Sequence, residues 1–204
     1  MNRPPLVPPP SRLPWHLIGL ALIAAALIAV FTLPVQEAGS VDTFARLASR
    51  QINDVFQAGG MLALLVAAFR ARSRAAAVGA VVVFLGVSAV AHLIKLATGP
   101  MLPRPTGSPG GFPSAHATAT CALAFLLTER WPKGAPLWYG IAALISWSRW
   151  EAHGHYPYQI VAGAVLGLTL AVVLHAHFGE DRDSERGGVA VAAGVGADGE
   201  DAAG

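Results

Sequence analysis

Three short polar clusters interrupt an otherwise apolar chain, and their residue types are those that handle phosphate. Lys95 is followed by Arg104-Pro105, then by Pro113-Ser114-Ala115-His116, then by Ser148-Arg149 with His155 beyond it. Arginine presents a planar fork of N–H groups that matches two phosphate oxygens, and lysine supplies a compact point charge. A neutral imidazole can attack phosphorus, and a second one can move a proton to or from the leaving oxygen. Two histidines and three cations brought to one membrane face can bind, attack and release a phosphate.

The local setting of each cluster supports that chemistry and also has a plainer reading. Ser114 follows a proline and is a good N-cap for the apolar run after it. A helix start there offers unpaired N–H groups and partial positive charge to an anion, with His116 in the first turn. The plainer reading is an ordinary serine cap with a histidine at the lipid interface. Lys95, near the end of an apolar run, can equally snorkel to the interface. Trp147, Trp150, Tyr156 and Tyr158 suit a headgroup-level aromatic belt around the third cluster. Zinc held by His116, His153 and His155 is a rival, but histidines two apart do not share a helix face and the surrounding arginines repel a cation. No metal and no cofactor are expected.

The clusters must be positioned by membrane helices. Of 204 residues, 54% are hydrophobic and only 13% charged, with mean hydropathy +0.52. Soluble domains carry about 25% charged residues. A net charge of +2 gives no case for nucleic acid, and the single Cys121 excludes an intrachain disulfide. Apolar runs at about 15–33, 55–69, 75–97, 114–128, 136–147 and 158–178 predict an all-α bundle of about six transmembrane helices, five being the fallback. The first run is read as an uncleaved span, because it is long for a signal peptide and lacks a small-x-small cleavage site after Leu33. Residues 1–14 are Pro-rich and assigned to the cytoplasm. Residues 15–178 form the membrane domain, and 179–204 read as a disordered cytoplasmic tail. Arg3 and Arg12, Arg70, Arg72 and Arg74, and Arg130 and Lys133 fall on one side of this arrangement. The three clusters fall on the other, the non-cytoplasmic side.

In these residues the chain resembles the type 2 phosphatidic acid phosphatase superfamily, which also includes vanadium haloperoxidases. That family shows Lys, six residues, Arg-Pro; then Pro-Ser-Gly-His; then Ser-Arg, five residues, His, three residues, Asp. The resemblance spans roughly residues 55–178. It implies a membrane lipid phosphatase acting on a phosphate monoester or diphosphate: phosphatidic acid, phosphatidylglycerol phosphate, or a polyprenyl phosphate or diphosphate. It implies His155 as nucleophile and His116 as general acid, with Lys95, Arg104, Arg149, Ser114 and the backbone at Ala115 around the phosphate. Three positions depart from the pattern. Eight residues separate Lys95 from Arg104, Ala115 stands in place of glycine, and Gln159 stands in place of the aspartate that orients the nucleophile. Gln159 can accept a hydrogen bond but supplies no charge, and Glu151 is a carboxylate that could stand in. A non-catalytic binder of phosphorylated lipids and a lipid phosphotransferase are the rival readings. Oligomeric state is not legible.

Overall fold

The computed structural model describes residues 12–32 and 40–179. Its helices are α1 (Leu13–Thr32), α2 (Ser40–Leu47), α3 (Asn53–Arg70), α4 (Arg74–Thr98), α5 (Ala115–Arg130), α6 (Ala135–Glu151) and α7 (Pro157–Gly179). No strand occurs among the described residues. The six apolar runs each become a helix. The Pro-rich start up to residue 11 and the tail from residue 180 lie outside the described residues.

Two boundaries differ from the sequence expectation. The fifth run does not stop at Trp147: α6 continues through Glu151, because no glycine or proline interrupts it before Gly154. Ser148 and Arg149 therefore sit on its last turn rather than in a loop. The apolar runs also place no helix between the first and the second, where α2 lies, joined to α3 by a π-helical turn over Ala48–Ile52. Hydropathy misses α2 because its apolar residues line one side of a short, otherwise polar helix.

Among the described residues, three helical stretches are long and apolar enough to cross a membrane: Asp42–Arg70, Arg74–Thr98 and Pro157–Phe178. At about 1.5 Å rise per residue, a helix of some 20 residues matches a hydrocarbon core about 30 Å thick. α5 and α6 are shorter, and α5 is the central post. Every residue from Ala117 to Thr128 is buried. Its small residues let neighbours come close, above all α7. A Cβ at Gly163 would lie 2.6 Å from the Ser114 carbonyl oxygen, and one at Gly167 would lie 2.1 Å from that of Thr118. That approach, of the kind small-xxx-small spacing permits, seats the start of α7 against the start of α5.

The two ends of the bundle are built differently. At one end Glu129 of α5 accepts from Arg12 and meets His16 Nε2 at 2.8 Å and His175 Nε2 at 3.4 Å. The other ring nitrogen of His16 lies 3.1 Å from the Tyr139 hydroxyl. This end gathers the start of α1, the end of α5, the start of α6 and the end of α7. Arg70, Arg72, Arg74, Arg130 and Lys133 stand at the helix junctions that the up-and-down path brings to the same end. The opposite end gathers the end of α4, the starts of α5 and α7, and the end of α6, which carry the three polar clusters.

Candidate active site

The connection from α4 to α5 is a folded loop tied at several points. Thr98 Oγ1 donates to the carbonyls of Ile94 and Phe112 at 2.8 and 3.1 Å. Gly110 N donates to Gly99 O at 3.2 Å and Gly111 N to Leu102 O at 3.0 Å. Lys95 Nζ donates to the Gly110 carbonyl at 2.8 Å. The two extra residues between Lys95 and Arg104 are thus absorbed by the loop, and the lysine still reaches the site. Arg104 sits in a turn closed by its own backbone, N to Ser108 O and O from Gly107 N, both at 2.9 Å.

His155 is placed by the short turn after α6. Its backbone N donates to Arg149 O at 3.0 Å, so the chain doubles back over the last turn of the helix. The imidazole is almost fully buried, while His153 is exposed. The Nδ1 atom lies 2.8 Å from the Gly111 carbonyl oxygen and 3.1 Å from Gln159 Oε1. Both partners are acceptors, so Nδ1 must carry the hydrogen and Nε2 keeps its lone pair. Burial first, then the Arg149 charge, pushes the His155 pKa down to about 3, so the ring is neutral near pH 7.

Gln159 is fully buried and uses both ends of its amide. Oε1 also accepts from Tyr156 N at 3.2 Å, and Nε2 donates to Pro103 O at 2.9 Å. The side chain therefore ties the α4–α5 loop to the start of α7 and closes behind His155. Ser114 N donates to Gln159 O at 3.0 Å, a second tie between the same elements. Gly111 is required here: a Cβ would lie 2.5 Å from Gln159 Nε2 and 2.7 Å from the carbonyl oxygens of Leu102 and Pro103.

The cations converge on the same place. Arg104 and Arg149 are electrostatic neighbours of Lys95 and of each other. His116, in the first turn of α5, feels Arg149, Lys95, Arg104 and the carboxylate of Asp54. Ser114 holds the N-cap position, but its side chain makes no capping bond, which corrects the expectation of an ordinary serine cap. Its Oγ is buried without a partner, and so are Arg104 Nε and Arg149 Nε. Buried polar atoms are nearly always paired, and these three belong to residues around one histidine pair. Ala115 opens α5 beside them, and Glu151 is buried at the end of α6.

Sequence reasoning missed three participants. Ser49, on the π-helical turn, accepts a hydrogen bond from Arg149 Nη1 and steers that guanidinium. The carbonyls of Gly111 and Pro103 hold His155 and Gln159. A backbone carbonyl leaves no mark in residue type, and no local pattern announces a π turn, although such turns recur at functional sites.

A family profile described as the PAP2 superfamily matches residues 55–183, a range that includes all three polar clusters. The chain belongs to that superfamily. No curated protein sequence matches it. Among solved structures it is similar to the crystal structure of the first transmembrane PAP2-type phosphatidylglycerolphosphate phosphatase, from Bacillus subtilis. The identity is 16% and the TM-score 0.52, over 83% of this chain and 96% of that one. At that identity the likeness concerns the fold: an all-helical PAP2 bundle of the membrane branch. Family and fold support a lipid phosphatase at the family level.

Proposed function

We propose that this PAP2 protein hydrolyses a phosphate monoester or diphosphate of a membrane lipid through a phosphohistidine at His155. The observation that supports this most is the state of His155: buried, neutral, its Nδ1 committed to the Gly111 carbonyl and Gln159, its Nε2 lone pair left for attack. Lys95, Arg104 and Arg149 hold the phosphate oxygens, with the Ser114 hydroxyl and the first N–H groups of α5 completing the cradle.

The steps balance with these residues alone. The His155 Nε2 lone pair forms the N–P bond as the P–O bond to the lipid breaks. His116, which takes up a proton as the phosphate anion offsets the surrounding cations, gives it to the departing oxygen. A water then attacks phosphorus, His116 takes a proton from it, and the N–P bond breaks to release phosphate. The chain's own cations neutralise the charge that builds on the equatorial oxygens, so the scheme needs no metal ion. Transfer to an acceptor other than water would make the same site a phosphotransferase.

The arginines at the Glu129 end support a multi-pass orientation with that end in the cytoplasm and the site at the outer interface. The deciding experiment is phosphate release by the purified protein, with chelator present, from phosphatidic acid, phosphatidylglycerol phosphate and undecaprenyl diphosphate. His155→Ala should abolish release while leaving binding of the same lipids. Equal release by the variant would refute the mechanism. Binding without release by the unaltered protein would favour a non-catalytic relative, for which the uncharged Gln159 is the reason.

A further inference from the structure

A cavity of about 810 Å³ lies along the membrane face of the bundle, away from the histidines. It lies between α3 and α6, which both pack on α5, with Leu127 of α5 also lining it. Its lining begins at Gln51 and Ile52, on the same π-helical turn as Ser49, the residue that holds Arg149. It continues down α3 past Gly59 to Ala63, and Trp131 and Trp138 flank it near the Glu129 end. Gln51 is the polar exception in an otherwise apolar lining, and it stands at the end next to the cations.

We propose that this groove holds one hydrocarbon chain of the lipid whose phosphate lies against His155, a proposal that rests on the phosphatase reading above. Three observations argue for that occupant. The groove begins at Gln51 and Ile52, on the same Ala48–Ile52 turn whose Ser49 holds Arg149, so its mouth lies beside the cations and a tail there belongs to a headgroup at the site. The polarity runs the right way, from cations to Gln51 to apolar wall. The depth is that of a tail: the ten steps of α3 from Asn53 to Ala63 alone rise about 15 Å, about half of a hydrocarbon core about 30 Å thick. The far end is flanked by the indoles of Trp131 and Trp138 near the Glu129 end, so the groove favours a long chain over a short one.

Gly59 makes the groove. A Cβ there would meet nothing within 4 Å, whereas one at its neighbour Gly60 would press on Leu123 at 2.9 Å. Gly59→Leu therefore fills the groove without disturbing the bundle, and replacing a glycine within a helix favours the helix.

The test uses the full chain in mixed micelles and two phosphatidic acids, dioctanoyl and dipalmitoyl. In Gly59→Leu the ratio of kcat/KM for the long over the short substrate should fall about tenfold, the loss expected when about two methylenes are kept out of the groove. Gly59→Ala should leave that ratio close to its original value. An unmoved ratio in Gly59→Leu, with the fold intact, overturns the proposal. A second measurement is independent of turnover. Dipalmitoyl phosphatidic acid with a photoreactive tail should label Ile141 and Trp138 in His155→Ala protein, and the matching diacylglycerol should not. Equal labelling by both would mean an ordinary bilayer lipid in the groove and also overturns the proposal. Phosphate-dependent labelling together with no phosphate release by the unaltered protein would keep the groove and refute the phosphatase reading.

Discussion

Replacing Gln159 by aspartate tests the electrostatics of the nucleophile most directly. In the proposed mechanism, phosphoryl transfer leaves a positive charge on the His155 ring. The unaltered protein meets that charge with two neutral dipoles, the Gly111 carbonyl at 2.8 Å and the Gln159 amide oxygen at 3.1 Å. A carboxylate about 4 Å from the ring would contribute about 4 kcal/mol at an effective dielectric of about 20. The shorter side chain also withdraws the donor that reaches Pro103 O at 2.9 Å, and an unpaired buried carbonyl costs about 2 kcal/mol. The difference, about 2 kcal/mol, corresponds to a rise in kcat of about thirtyfold. The assay is single-turnover phosphate release from a lipid phosphate by Gln159→Asp, Gln159→Glu and Gln159→Leu. Glutamate keeps the length but sets an oxygen against Pro103 O, so it should lower thermal stability. Leucine removes both bonds and should be slower than the original. If the aspartate variant folds and is no faster than the leucine variant, the ring needs the amide and the charge argument fails.

Gly111→Ala should lower kcat by about 10²-fold, because the new methyl displaces the carbonyl that fixes His155 and near-attack geometry is lost. Normal turnover by a folded Gly111→Ala protein would contradict that role. In ¹⁵N-histidine spectra, His155 should remain neutral and protonated at Nδ1 from about pH 8 to about pH 5, since its pKa is about 3 against an ordinary 6.5. The sign for stability follows: the unfolded chain takes up that proton as pH falls through 6.5 and the folded chain does not, so this contribution is lost on acidification between 6.5 and about 3. A His155 midpoint near 6.5 would show that the ring is not desolvated. A reporter fused after Gly204 should be active only in its cytoplasmic form, and activity of a periplasmic reporter there would reverse the orientation.

Much of this protein was legible in residue order alone. Apolar runs of helical length fix an all-α membrane bundle, because backbone groups in hydrocarbon must pair within their own segment. The three clusters lie at run ends, and an up-and-down path brings run ends of equal parity to one face. His116, His155, Arg104, Arg149 and Lys95 therefore had to meet if the path was regular. The family resemblance also marked Gln159 as an uncharged residue where the pattern has aspartate. What it could not supply was what that glutamine does. Its two ends bridge the α4–α5 loop and α7, which depends on how far Gly163 and Gly167 let α7 sink onto α5. The same holds for Gly111, whose carbonyl rather than its residue type orients His155. Ser49 reaches Arg149 across about a hundred residues of chain, and the Glu129 cluster joins α1, α5, α6 and α7 at the other end. Periodicity and hydropathy report on a segment and its solvent, so they place elements. Pairings between distant segments depend on interhelical distance and register, and those exist only once the helices are packed.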